Sequence, residues 1–159
     1  FGGTASDFVE TADMRSLAES EGFIIIYPQG TNLGGYPHWN SSAPSSDNKS
    51  SVDDFGFVEA MIENISSTYS INENRIYAAG YSNGGFMSYY LACNSKKFAA
   101  IGSVAGTASA AQRPAAGAIG SVVGTTFAAP FAAPAAVRCS PSEPPSAERL
   151  VPLPPELQL

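Results

Sequence analysis

The sequence predicts an α/β protein with a parallel, doubly wound sheet, of which only central strands are present, followed by an Ala/Pro-rich unstructured tail. Three observations lead there. As far as Thr107, short apolar runs of strand length alternate with stretches of helical periodicity. The runs lack the polar alternation of a half-exposed strand, which suits strands covered on both faces. The order helix, strand, helix, strand, helix, strand is the one that right-handed crossovers fold into a parallel sheet.

Each element has a local reason. Ser6 and Asp13 are candidate N-caps, because their side-chain oxygens can accept from early helix N–H groups. They predict a short helical stretch over 6–10 and a helix over about 14–21, with Met14, Leu17 and Ala18 at helical spacing and Gly22 as the C′ residue. "FIIIYP", residues 23–28, reads as a buried strand ended by its proline. A long loop rich in Gly, Ser, Asn and Pro follows over 29–51, and loops of that length usually serve function or are disordered. Asp53 or Asp54 then caps a helix whose Phe55, Val58, Ile62, Ile65 and Tyr69 form one apolar stripe. "RIYAAG" is the next strand and 83–94 the next helix, with Phe86, Tyr89, Tyr90 and Cys93 on one face. "FAAIGSVAG" is a further strand.

Between the second strand and its helix lies Gly80-Tyr81-Ser82-Asn83-Gly84, a G-x-S-x-G stretch in the strand-turn-helix context that gives this motif chemical meaning. A sharp turn there holds the serine in a strained backbone conformation, and side chains two residues before and after it are expected to collide with neighbouring backbone. Ser82 then presents its Oγ at the carboxyl end of a strand, beside a helix N-terminus with unsatisfied N–H groups and positive dipole character. The Asn83 N–H can stabilise an oxyanion there.

Several words in order, "FGGTASDF", "YPQGT", "HWN", "VDDFGFVEAMI", "RIYAAGYSNGGFMSYYLAC" and "AAIGSVAGT", give residues 1–107 a resemblance to a secreted esterase family. That family comprises extracellular poly(3-hydroxybutyrate) depolymerases and feruloyl or acetylxylan esterases, all α/β-hydrolases. The resemblance implies an incomplete α/β-hydrolase, a serine carboxylic-ester hydrolase with Ser82 as nucleophile, and an extracellular location. It implies a polymeric or small ester as partner and no cofactor. In the family, the second oxyanion donor sits in a His-Gly-x stretch before "GGT", so Phe1 resembles the x residue and its N–H that donor. The sequence as it stands opens after the place of that His-Gly, and there Phe1 is expected to carry a free amine in place of an amide. The long loop borders the substrate cleft in the family, which makes Trp39 and His38 candidate substrate-binding residues.

The triad is incomplete. In α/β-hydrolases the chain order is Ser, then Asp or Glu, then His. His38 is the sole histidine and precedes Ser82, as do Asp53 and Asp54. Glu143, Glu148 and Glu156 follow it, but in proline-rich surroundings with no strand to place them. A serine hydroxyl without a base is a weak nucleophile, so the chain as it stands is expected to be inactive. A non-catalytic α/β-hydrolase-like binding module is the alternative, which the retained elbow disfavours.

Composition bounds the rest. The net charge is −6 and the pI about 4.6, which argues against nucleic acid as a partner. The longest apolar run, 23–27, is far too short to span a bilayer. Two cysteines, Cys93 and Cys139, cannot define a disulfide framework, and with one histidine they make no metal site. Sequons at Asn40, Asn48 and Asn64 permit a secreted setting. Oligomeric state is not legible. The chain divides into a partial esterase domain, 1–107, and a low-complexity tail, 108–159. Up to Thr107 there are 11 acidic and 5 basic residues; beyond it there are 3 of each. Dense proline removes donors and blocks helices, so the tail reads as a flexible Pro/Ala segment. It is either a linker or, given its Ala, Pro, Gly and Arg bias, the product of a frame slip or joint near Thr107.

Overall fold

A computed structural model describes residues 1–41, 50–106, 122–127 and 136–137, the last two stretches through their backbone pairing. Helices α1 (Ala5–Thr11) and α2 (Arg15–Glu21) come first. The α1 cap is Thr4 and not Ser6: Thr4 accepts from the Asp7 N–H while Asp7 accepts from the Thr4 N–H, a reciprocal capping box. Asp13 does not cap α2 by position, since Met14 stands there. Its carboxylate accepts instead from the backbone and guanidinium of Arg15, and those bonds hold it down to about 2. Gly22 ends α2 in the left-handed conformation, as its sequence position predicts.

Residues 23–28 are not a strand. They join no ladder among the described residues, and Ile24 is 49% exposed. A β-branched run supplies propensity, but a buried strand also needs hydrogen-bonded neighbours, and none of the described strands pairs with it. Tyr27 anchors the segment to the end of α1, donating its hydroxyl to the Ala12 carbonyl and accepting from the Met14 N–H.

The expected loop contains a hairpin of β1 (Thr31–Leu33) and β2 (Tyr36–His38), with Thr31 opposite His38. Gly34 and Gly35 both take positive φ, 59° and 89°, which a two-residue hairpin turn demands. Residues 42–49 of that loop lie outside the described residues. Helix α3 (Asp54–Thr68) is capped by Asp53, whose carboxylate accepts from the Gly56 N–H. Val58 and Ile62 are buried, as the stripe predicts, whereas Tyr69 is exposed beyond the helix end.

The main sheet holds β3 (Tyr77–Tyr81), β4 (Ala100–Val104), β5 (Val122–Phe127) and β6 (Ala136–Val137), in that order. The first three are parallel and β6 is antiparallel to β5. Two stretches of the tail therefore depart from the expectation of no structure. Residues 122–127 are proline-free and rich in Val and Thr, so their backbone can extend the parallel ladder. The rest of 108–159 lies outside the described residues.

Helix α4 (Asn83–Asn94) crosses between β3 and β4 over the bounds its pattern predicts. Its buried surface is wider than the predicted face, taking in Met87, Leu91 and Ala92, while Phe86 and Tyr90 are only half-buried. Val58 and Ile62 of α3 meet Met87, Leu91 and Phe98 in the main core, with Trp39 and Phe55 packed against it. Lys97 adds ion pairs to Glu59 and Glu63 of α3. Cys93 is buried and disulfide-bonded; Cys139 lies outside the described residues. No helix among the described residues is long and apolar enough to cross a membrane.

Candidate active site

Ser82 stands between the end of β3 and the start of α4 with φ 51° and ψ −113°. It is one of two non-glycine residues with positive φ among those described. Such a conformation costs on the order of 1–3 kcal/mol and persists only where its surroundings enforce it. They do so here. The Ser82 N–H donates to the Val104 carbonyl at 2.8 Å, extending the β3–β4 ladder one residue past the strand. The Ser82 carbonyl accepts from the Phe86 N–H at 3.0 Å, as the first bond of α4. One residue thus ends a ladder and begins a helix.

The steric requirement proves one-sided. A Cβ at Gly80 would lie 2.3 Å from both the carbonyl carbon and oxygen of Gly84. A Cβ at Gly84 would meet nothing within 4 Å, so that glycine is not required by collision. Two glycines that the motif does not single out are crowded where Gly84 is not. A Cβ on Gly85 would stand 2.6 Å from Ser103 Oγ, and one on Gly106 would stand 2.7 Å from the Gly85 carbonyl carbon. Ser103 is 1% exposed and donates to the Gly106 carbonyl. The first turn of α4 therefore rests directly on the end of β4, which fixes the elbow's height above the sheet.

The other predicted residues gather around the β1–β2 hairpin. Phe1 stacks on Tyr36 at 5.8 Å between centroids and meets the His38 ring edge-on at 6.3 Å. The Gly2 N–H donates to the Pro37 carbonyl at 2.8 Å. Trp39 follows directly and stacks on Phe57 of α3 at 6.4 Å. Its backbone is bonded twice by the Asn83 side chain: the Trp39 N–H donates to Asn83 Oδ1 at 2.7 Å, and Asn83 Nδ2 donates to the Trp39 carbonyl at 3.0 Å. Phe1, His38, Trp39 and Asn83 thus belong to one connected group. Sequence reasoning assigned Asn83 a backbone role only; nothing in the spacing announces a partner 44 residues away.

His38 is 3% exposed, and its Nδ1 lies 3.0 Å from the Thr31 carbonyl. The His38 ring is thus covered and held at one nitrogen by the backbone of β1. Asp54 was expected at most as a cap. It is 2% exposed, and its carboxylate accepts from the Asn40 N–H at 2.7 Å. Burial pushes the Asp54 carboxyl above its ordinary value, opposed by the Asn40 bond and the nearby His38, and reinforced by Asp53.

A parallel ladder, a strained serine at its carboxyl end and a helix starting on that serine define the α/β-hydrolase class of fold. Comparison with known sequences carries this to a family. The family model of the prolyl oligopeptidase family matches residues 10–113, and the chain belongs to that family. A bifunctional acetylxylan esterase/xylanase of Neocallimastix patriciarum is 32% identical over 105 residues, covering 63% of this chain and 14% of that protein. Feruloyl esterase B of Neurospora crassa is 31% identical over 91 residues, covering 57% and 30%. Feruloyl esterase B of Piromyces equi is 32% identical over 91 residues, covering 57% and 16%. The matched segment thus spans less than a third of each of these curated relatives. No solved structure matches the chain significantly.

Proposed function

We propose that this chain carries the nucleophile portion of a secreted serine esterase, which hydrolyses polyester or polysaccharide-linked esters through an acyl-enzyme on Ser82. The observation that carries the reading is the Ser82 backbone, at φ 51° and ψ −113°, with Gly80 pressed against Gly84. The esterase names of the relatives support the ester over the amide as the bond attacked. In this reading Ser82 Oγ bonds to the ester carbonyl carbon while its proton passes to a base. The Asn83 N–H stabilises the oxyanion, joined in the complete gene product by that of Phe1 where residue 1 is amide-linked. The carbon–oxygen bond to the alcohol then breaks, the alcohol leaves with the proton, and water releases the acid in a second round. Trp39, stacked on Phe57, forms an aromatic wall for an acyl or phenolic group.

The base is not supplied by the described residues. His38 is buried against Thr31 and is the sole histidine of the chain. The 159-residue chain alone is therefore proposed to be inactive. Two experiments test the reading. The complete gene product is assayed with p-nitrophenyl acetate, methyl ferulate and a peptidyl p-nitroanilide, beside its Ser82→Ala variant and with fluorophosphonate labelling. Ser82-dependent ester hydrolysis and labelling are expected. Absence of both would favour a non-catalytic binding module. Ser82-dependent turnover at ordinary esterase rates by the 159-residue chain would refute its inactivity.

A further inference from the structure

We infer that the Asn83 side chain is a positioning residue, which clasps the backbone of Trp39 and so ties the elbow to the β1–β2 hairpin that also holds Phe1–Gly2. Its catalytic consequence rests on Ser82 being the nucleophile; the clasp itself does not.

The amide uses both of its ends on the backbone of a single residue, accepting from the Trp39 N–H at 2.7 Å and donating to the Trp39 carbonyl at 3.0 Å. Two bonds to one residue fix orientation as well as distance. Only an unbranched carboxamide one methylene from the backbone does both: a carboxylate lacks the donor, and serine lacks the second arm. The partner segment is itself braced on both sides. At one side, the Pro37 carbonyl accepts from the Gly2 N–H at 2.8 Å, and Phe1 stacks on Tyr36. At the other, the Asn40 N–H enters the buried Asp54 carboxylate, and the Asn40 amide donates to the Ser50 and Val52 carbonyls. Residues 36–40 therefore touch the N-terminal segment, the elbow and α3 in five consecutive positions.

Phe1 and Gly2 belong to no strand of the main sheet. The sheet consequently fixes the Asn83 N–H but not the Phe1 N–H. Their separation is set through the chain Gly2–Pro37, Trp39–Asn83, of which the Asn83 amide is the link to the elbow. Catalytic donors must stand in place before the reaction to be effective, and the clasp is the device that places one relative to the other.

The test uses the complete gene product, with Asn83→Ala, Asn83→Leu, Asn83→Asp and Ser82→Ala. Amide hydrogen exchange over residues 36–41 is followed by mass spectrometry alongside kcat and KM for p-nitrophenyl acetate. In the wild type the Trp39 amide is expected to exchange slowly. Asn83→Ala is expected to speed that exchange and to lower kcat by about 10- to 100-fold, the scale of a small misplacement, with KM changed less. Ser82→Ala is expected to abolish turnover and leave exchange over 36–41 unchanged. A Trp39 amide that exchanges as fast in the wild type as in Asn83→Ala overturns the clasp. Faster exchange with unchanged kcat overturns its positioning role. Should Asn83→Ala fail to fold, Asn83→Leu, which keeps size but has neither acceptor nor donor, must speed exchange at Trp39 and lower kcat, and Asn83→Asp, which loses only the donor to the Trp39 carbonyl, must lower kcat, or the inference falls. Turnover that survives Ser82→Ala would sink the nucleophile reading alone, since exchange judges the clasp separately.

Discussion

At the scale of single residues, glycine and aspartate positions separate by what surrounds them. Gly80→Ala sets a methyl 2.3 Å from the Gly84 backbone, where no side chain can move aside. It is expected to cost about 1–3 kcal/mol or more, as overpacking does, and to abolish fluorophosphonate labelling of Ser82. Gly84→Ala meets nothing within 4 Å, at a helix position where alanine is favoured. It is expected to fall within about 0.5 kcal/mol of wild type, as quiet substitutions do. Urea denaturation of the complete gene product checks both. Asp54 gives a pH dependence with a definite sign. Burial raises its carboxyl above 3.8, so the folded chain holds that proton more tightly than the unfolded one. This group's contribution to stability therefore falls as pH rises through the window just above 3.8, and is restored as pH drops below it. Asp54→Asn keeps an acceptor for the Asn40 N–H but cannot titrate. Urea midpoints of the variant should lose that slope relative to wild type; an unchanged slope would contradict the assignment.

At the scale of elements, the hairpin shows how much a turn can decide. Strands of three residues have few ladder bonds, so the register depends on Gly34 and Gly35 holding positive φ. Gly35→Ala is expected to cost about 1–3 kcal/mol of local strain and to speed exchange across 31–39 while leaving α3 and α4 protected. Helices α3 and α4 were legible because a buried stripe repeats at helical spacing and a carboxylate or a strained serine marks each start. The hairpin was not, because a glycine-rich stretch with a proline in its second strand reads as loop. Residues 23–28 failed in the opposite direction: Ile24, Ile25 and Ile26 have strand propensity, yet propensity supplies no partner.

For the whole molecule, coverage is the issue. Among the described residues nothing pairs with the outer edge of β3, and Tyr77 and Tyr81 on that strand are 58% and 59% exposed. Phe23, Ile24 and Ile26 add further exposed apolar surface. Open edges and apolar faces promote association. The isolated chain is expected to bind 8-anilinonaphthalene-1-sulfonate, to aggregate and to melt over a broad range. A single sharp calorimetric transition without dye binding would contradict this.

The strand-turn-helix setting of Ser82, the span of α4, the cap of α3 and the parallel character of β3 and β4 follow from residue type and spacing, because local sterics and periodic burial act over a few residues. That Gly85 and Gly106 are crowded while Gly84 is not, why Asp54 is buried, and that Asn83 holds Trp39 do not follow from spacing. They depend on backbone brought together from distant parts of the chain, where a hydrogen bond or a clash is set by three-dimensional approach and leaves no periodic trace.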